Sequence, residues 1–398
     1  MKAGITVKDK FSGVSVLVFG ADGRQALPVI KGFAQLGCKV TAYCNSRLNP
    51  GYLTKYTAEK ILYDRQGDSG EDFFSFGARL IRENRYDLVV PLRDQAAIYL
   101  SKNKEELSRY AKIAVNDWEI MKYASDKALT MAVCEEEGIP APRTVSGDDI
   151  LGQIEKKGIL FPLVVKPRTE GGSTGFNIIR TKEVLAEYLQ HYDNRNGPLL
   201  CQEYIEQGDA PQYRADFFRD RDGQFKAAIV GKNTRWYPLD GGFGVFGLTV
   251  HDEDIVREGK KLLDRIGWNG YANIDMVWDA RENRAKILEI NGRTGATISL
   301  DYAAGVNISQ LILENELGRP VTDFTQYPDG SKVACFFVDV LWFIKSKDRF
   351  RIKPSWFDRR GVQDMVFSWT DPMPALGYLL ECALNLKKSS KLRERLQQ

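Results

Sequence analysis

Residues 14–20, VSVLVFG, are apolar at almost every position, and the run QALPVIKGFAQLG that follows is amphipathic. The first pattern predicts a strand buried on both faces, and the second a helix packed against it. KVTAYCN predicts a second strand, the segment around DFFSFGARLIRENR a second helix, and YDLVVPL a third strand. Strands alternating with helices predict a parallel, doubly wound domain reaching to about residue 118. Its first turn, GADG at 20–23, has half of a dinucleotide fingerprint and no third glycine, so it reads as a tight strand-to-helix turn.

Beyond this domain the pattern changes. WEIMKYASDKALTMAVCEEEG predicts one helix, ended by the prolines and glycine of GIPAPRT. FPLVVKP and FNIIRT are strand-like and flank a glycine-rich loop, and TKEVLAEYLQHY is helical. LLCQEYI, YRADFFR and FKAAIVGK predict strands, LDGGFGVFG a loop, and DEDIVREGKKLLDRIG a helix. YANIDMVW and AKILEIN predict two strands joined by the polar turn DARENR. Near the end, Lys345, Lys347, Arg349, Arg351 and Lys353 alternate with other residues. In a strand all five would share one face. Such a face would serve as a charged edge that prevents edge-to-edge pairing, or as a platform for an anionic glycan or membrane surface. PALGYLLECALNLKKSSKLRER predicts an amphipathic helix with a basic end.

Composition narrows the chemistry. The 398 residues exceed one ordinary core, so two or three subdomains are expected. With 56 basic and 53 acidic residues there is no global case for nucleic acid. MKAGITVKDKF lacks the apolar stretch of a signal peptide, and no run approaches a membrane span, which predicts a cytoplasmic protein. The six cysteines form no CxxC pair and read as reduced thiols. Only two histidines occur, His191 and His251, both in polar surroundings. A histidine triad or a zinc hydrolase site is therefore disfavoured, and the chemistry falls to Lys, Arg, carboxylates and Mg²⁺.

Three stretches carry such chemistry. In VVKPRTEGGSTG, residues 164–175, a lysine precedes the glycines, the reverse of a P-loop, and a strand rather than a helix follows. A glycine-rich loop between two strands makes a flap whose backbone N–H groups can face phosphate oxygens, with the Lys166 ammonium beside them. In LEINGRTG, residues 288–295, Glu289 and Asn291 stand two apart and point to one face of a strand, with Arg293 following. Asp275, on the preceding strand, would lie opposite Glu289. Carboxylates with an amide oxygen are hard ligands suited to Mg²⁺, although ion pairs to Arg293 or Lys286 remain an alternative here. In QEYIEQGD, residues 202–209, a strand end can offer main-chain groups to an adenine edge.

The order of SDK, VVKP with GGSTG, QEYI and EINGR resembles the ATP-grasp superfamily from about Trp118 to Gly318. KNTRWYPLDGGFG, EINGRTGATISLDYAAGVN and DPMPAL resemble a narrower group within it. These are the carboxylate–amine ligase-like proteins, which include relatives of D-aspartate ligase and are often linked to bacterial cell-envelope glycans. The resemblance implies a mixed α/β and α+β fold in four parts. They are a Rossmann-like pre-ATP-grasp domain (1–117), a small lobe with the flap (118–200), a large lobe with the Mg/ATP site (201–320) and a basic, aromatic C-terminal extension (321–398).

Carried over by motif, the resemblance implies ATP and one or two Mg²⁺, with Mn²⁺ as a substitute. Lys127 and Lys166 would contact phosphates beneath Gly171, Gly172, Ser173 and Thr174. Glu203, Tyr204 and Ile205 would line the adenine site, largely through backbone atoms. Asp275, Glu289 and Asn291 would hold the metal. Arg293 would stabilise the transferred phosphoryl group, and Arg235 would face the carboxylate substrate. Gln212 stands where many members carry an acid for the ribose. An amide can still bond a diol, and Asp209 is a nearby substitute. The implied activity is ADP-forming amide synthesis from a small carboxylate and an amine, through an acyl-phosphate, with a homodimer as an option for the assembly. The alternatives are a regulatory nucleotide-binding protein and a carboxylating or carbamoylating enzyme. The lack of a second ATP-grasp half or a biotin-carrier segment counts against the last.

Overall fold

The computed structural model describes residues 10–63, 70–169, 176–195, 197–206, 211–239 and 242–396. Five parallel strands form the first sheet, in the spatial order Glu59–Leu62, Lys39–Cys44, Ser15–Phe19, Leu88–Pro91, Lys112–Ile113. Val16 and Val18 face one core with Val29, Ile30 and Phe33 of helix Ala26–Gln35. Leu17 and Phe19 face the other with Phe76, Leu80 and Ile81 of helix Phe73–Glu83. Each of these buried side chains contributes about 1.5–3 kcal/mol, so the continuous apolar run at 15–19 is accounted for by helices on both faces. Asp72 starts the second helix by accepting from the backbone N–H of Phe74 and Ser75. The turn after the first strand needs Gly20: its φ is +79°, and a Cβ there would lie 2.8 Å from the Arg93 side chain.

The single helix expected over WEIMKYASDKALTMAVCEEEG is two, Trp118–Ser125 and Lys127–Glu137. Asp126 breaks it. Its backbone is extended, and its carboxylate caps the second helix at Ala128 N–H while pairing with Arg168. The break places Lys127 at a helix start, beside the strand that carries Lys166, where Lys127 N–H donates to the Arg168 carbonyl.

Four antiparallel strands form a small sheet in the order Thr144–Ser146, Leu199–Glu203, Leu163–Pro167, Asn177–Ile179. The third sheet has seven strands in the order Arg284–Asn291, Gly270–Asp279, Gln212–Arg219, Phe225–Tyr237, Phe243–Val250, Lys332–Ala334, Val362–Asp364. Two details differ from the sequence expectation. The strand begun by FKAAIVGK continues through NTRWY, and much of the expected glycine-rich loop is the strand FGVFGLTV paired with it. Asn233 sits where a Cβ on either Gly244 or Gly247 would strike it, so those glycines let the strands close over that amide.

The basic strand expected at 345–353 does not form. Lys345 ends helix Phe336–Lys345, and the chain then turns, with Arg351 and Ile352 N–H donating to the Asp348 carbonyl. Ser346 and Asp348 favour that turn through a local bond from Asp348 N–H to the Ser346 hydroxyl. The five cations therefore do not share a strand face. The expected C-terminal helix is present at Met373–Leu396. No helix among the described residues is long and apolar enough to cross a membrane. All six cysteines are free thiols, and both histidines are exposed.

Candidate active site

A cleft of about 840 Å³ opens between the small sheet, the seven-stranded sheet and the first domain. Its floor is the hairpin of strands Gly270–Asp279 and Arg284–Asn291. Asp275 and Glu289 are direct cross-strand partners, with a register irregularity immediately after Asp275. Period-two alternation sends both carboxylates to the cleft face. Two facing acids repel, and burial together with the Glu289 charge pushes the Asp275 carboxyl up to about 6.

Asn291 lies beside them and donates from Nδ2 to Asp275 (2.9 Å) and to Asn273 Oδ1 (3.0 Å). Asn273 in turn donates to Asp216 (2.8 Å), which also accepts from the Tyr271 hydroxyl (2.5 Å) and pairs with buried Arg214. A chain of buried polar groups thus orients the amide next to the carboxylates. The donor set suits one Mg²⁺, which binds through one or two carboxylates and completes its shell with phosphate and water. A cation there would relieve the Asp275–Glu289 repulsion. For Asn291 to offer its oxygen, the amide must turn over, because its NH₂ now faces Asp275.

Lys127 Nζ stands 3.2 Å from Glu289 Oε2, and Lys166 lines the same wall. Burial and the neighbouring Lys127 charge pull Lys166 down to about 8, against the upward pull of Glu289. Two ammonium groups crowded together on one side of a cleft suit a polyanion. Gly171, Gly172, Ser173 and Thr174, expected to cover the phosphates, lie outside the described residues, as does Asp209.

Tyr204, Ile205 and Gln212 line the cleft. Glu203 also borders it, but its carboxylate is committed to structure. It accepts from Arg143 (2.8 Å) and Lys286 (2.9 Å), and Arg281 stands 3.3 Å away. Lys286 further bridges Asp279 (2.9 Å) and Glu282 (2.7 Å), so this cluster ties the small sheet to the hairpin.

Arg293 reaches the cleft and pairs with Asp94 at 2.9 Å. Burial works to lower its pKa, but the Asp94 charge and hydrogen bond prevail and hold the guanidinium above its ordinary value. Neither Arg293 nor Lys286 neutralises the Asp275–Glu289 pair through a close ion pair, which was the alternative reading of that motif.

Arg235, expected to face the carboxylate substrate, is not among the residues that line the cleft. Its side chain is 1% exposed, forms a two-pronged pair with Asp339 (2.7 and 3.0 Å), and lies over the Phe246 ring at 3.8 Å. The bulges around residue 235 and the docking of helix Phe336–Lys345 turn it away from the cleft. Its sequence neighbours Asn233 and Trp236 line the cleft instead.

Several site residues carry no motif. Arg24 comes from the turn after the first strand and donates to the Ala296 carbonyl (2.9 Å) and the Gly244 carbonyl (2.9 Å). Asp94 opens helix Asp94–Lys102. Asn273 is set by its place in the hairpin. Only Asn273 was findable in sequence, since it precedes Asp275 by two and shares its face.

The family described as "ATP-grasp in the biosynthetic pathway with Ter operon" matches residues 197–336. D-aspartate ligase of Enterococcus faecium is 25% identical over 322 residues, 75% of this chain and 76% of that protein. D-alanine–D-alanine ligase B of Pseudomonas putida is 28% identical over 211 residues, 48% of this chain and 63% of that protein. Among solved structures, the biotin carboxylase domain of Hydrogenobacter thermophilus 2-oxoglutarate carboxylase, determined with MgADP and bicarbonate, superposes with a TM-score of 0.64. It is 18% identical and covers 80% of this chain and 73% of that one. L-amino acid ligase from Bacillus licheniformis superposes with a TM-score of 0.58 at 18% identity, covering 77% of this chain and 74% of that one.

Proposed function

We propose that this chain is an ATP-grasp ligase that joins the carboxylate of an amino acid or similar small acid to an amine on a cell-envelope precursor, in the cytoplasm. The observation that carries the reading is the facing pair Asp275–Glu289 with Lys127 and Lys166 along one wall of the cleft. Names such as D-aspartate ligase and D-alanine–D-alanine ligase among its relatives support the choice of a carboxylate and an amine as substrates.

A carboxylate is a poor acyl donor because oxide is a poor leaving group. In the proposed sequence a carboxylate oxygen attacks the γ-phosphorus of ATP, ADP departs, and an acyl-phosphate forms. The amine nitrogen then attacks the carbonyl carbon, phosphate leaves, and the nitrogen loses a proton to give the amide. Phosphoryl transfer asks the protein for position and charge compensation more than for covalent help. Lys127 and Lys166 would hold the phosphate oxygens. Arg293, kept charged by Asp94, would meet the charge that develops on the transferred group. Asp275, Glu289 and Asn291 would hold Mg²⁺, which when bound neutralises phosphate charge. Tyr204, Ile205 and Gln212 would take the nucleoside.

The test supplies hydroxylamine as a small amine, with ATP, Mg²⁺ and single acids, and measures hydroxamate, ADP and phosphate. ADP and hydroxamate appearing together with a particular acid is the expected result. Formation of AMP and pyrophosphate, or of carboxylated product from bicarbonate without hydroxamate, would sink it.

A further inference from the structure

Arg24 is 6% exposed and forms no ion pair among the described residues. Its two hydrogen bonds go to neutral main-chain carbonyls, those of Ala296 and Gly244. A buried guanidinium without a carboxylate is costly, and proteins keep one where an anion completes it. The side chain lines the cleft.

Its place along the floor separates it from the nucleotide end. Asp275 contacts Asn291, Asn291 contacts Asn273, and Asn273 lies against Gly295, whose neighbour Ala296 receives Arg24. An anion at Arg24 is thus a substrate group, set apart from the phosphates beside Lys127 and Lys166.

A second unsatisfied group adjoins it. Asn233 is 7% exposed, and its Oδ1 is buried with no hydrogen-bond partner among the described residues. It also lines the cleft and packs against Gly244, the residue whose carbonyl Arg24 holds. With Nε and Nη2 held by carbonyls, Arg24 still has N–H groups to offer, and it meets the orphaned acceptor at Gly244; a cation and an acceptor placed so match a carboxylate and an ammonium carried on one carbon.

We propose that Arg24 and Asn233 form a specificity subsite for an amino acid with two carboxylates. Arg24 binds the carboxylate that is not activated, and the Asn233 oxygen accepts from the ammonium. This rests on the ligase reading, with the second carboxylate turned to the phosphate end as the activated group. The first domain thereby contributes directly to substrate choice.

The probes are racemic aspartate and glutamate against their mono-acid counterparts 3-aminopropionate and 4-aminobutyrate, titrated calorimetrically into protein loaded with Mg²⁺ and ADP. Wild type should bind one of the diacids about tenfold or more tighter than its mono-acid, the scale of a charge-assisted pair. Arg24→Gln should abolish that preference and leave ADP affinity unchanged, while Arg24→Lys restores part of it. Asn233→Asp offers Arg24 an internal carboxylate. It should keep the melting temperature and still lose diacid binding, so it decides the matter if Arg24→Gln does not fold. Equal binding of diacid and mono-acid by wild type overturns the subsite. So does a folded Arg24→Gln or Asn233→Asp with undiminished preference, which would make Arg24 only a tie between domains. Preference without hydroxamate formation would instead count against the ligase reading and leave the subsite standing.

Discussion

Lys127 Nζ and Glu289 Oε2 stand 3.2 Å apart, joining the start of a helix to the far strand of the cleft floor. The pair holds an ammonium beside an acid that already faces Asp275. Lys127 is therefore positioned before any nucleotide arrives, and the third charge partly offsets the repulsion between two carboxylates. Lys127→Met should lower kcat/KM for ATP about 100-fold, the scale of losing one preorganised charge contact. Phosphate release with the active acid measures it, and a loss below about threefold would remove Lys127 from the site.

Asp275 places activity against stability. Its carboxyl is raised to about 6 by burial and by Glu289, so the folded state holds that proton more tightly than the unfolded chain does. The protein gains from this below the ordinary carboxylate range and loses the gain as pH rises to about 6. Above that the full penalty of the ionised pair applies. Asp275→Asn should therefore stabilise the metal-free protein at pH 7 by about 1–2 kcal/mol while abolishing turnover. Thermal melts in chelator at pH 5 and pH 7 test this, and a variant less stable than wild type at pH 7 would contradict it.

Nucleotide affinity should depend on Lys166. Burial and Lys127 lower it to about 8 in the free protein, and phosphates would favour its charged form. Binding then takes up a proton. Affinity is full below pH 8 and falls as pH rises through that value. ADP titrations from pH 7 to pH 9.5 should show this weakening in wild type, and Lys166→Arg should show a flat profile over the same range.

Arg235→Met should act on stability. It leaves Asp339, which is fully buried, with Arg359 at 3.0 Å as its remaining close cation. The expected cost is about 3–5 kcal/mol, read from denaturant melts, with KM for the acid unchanged in whatever fraction remains folded. A rise in KM without loss of stability would return Arg235 to the substrate site.

Lys286 should govern acid stability. Arg281 first, then Lys286, hold Asp279 well below the usual carboxylate range. Burial alone would raise Glu203, but Arg143 and Lys286 keep it low. Depressed carboxyls stabilise the fold above their ordinary range and lose that contribution as pH falls. Lys286→Met should cost about 3 kcal/mol at neutral pH and flatten the decline of melting temperature below pH 5.

The sequence by itself determined the facing acids and most of the elements, though not the helix break at Asp126, the strand at Phe243–Val250 or the turn that follows Lys345. VSVLVFG reads as a doubly covered strand because parallel sheets bury both faces, and Asp275 meets Glu289 because a short turn and period-two alternation leave few other pairings. These are local rules, acting over a strand or one hairpin. Tertiary structure alone decided the partners of the arginines. Arg235 sits among cleft residues in sequence, yet a helix a hundred positions later supplies Asp339 and buries it. Arg24 and Asp94 belong to the first domain, yet reach Ala296 and Arg293. A long cationic side chain has no periodicity that announces its partner. Its role depends on which elements pack beside it, and packing is set by the whole core rather than by the residues on either side.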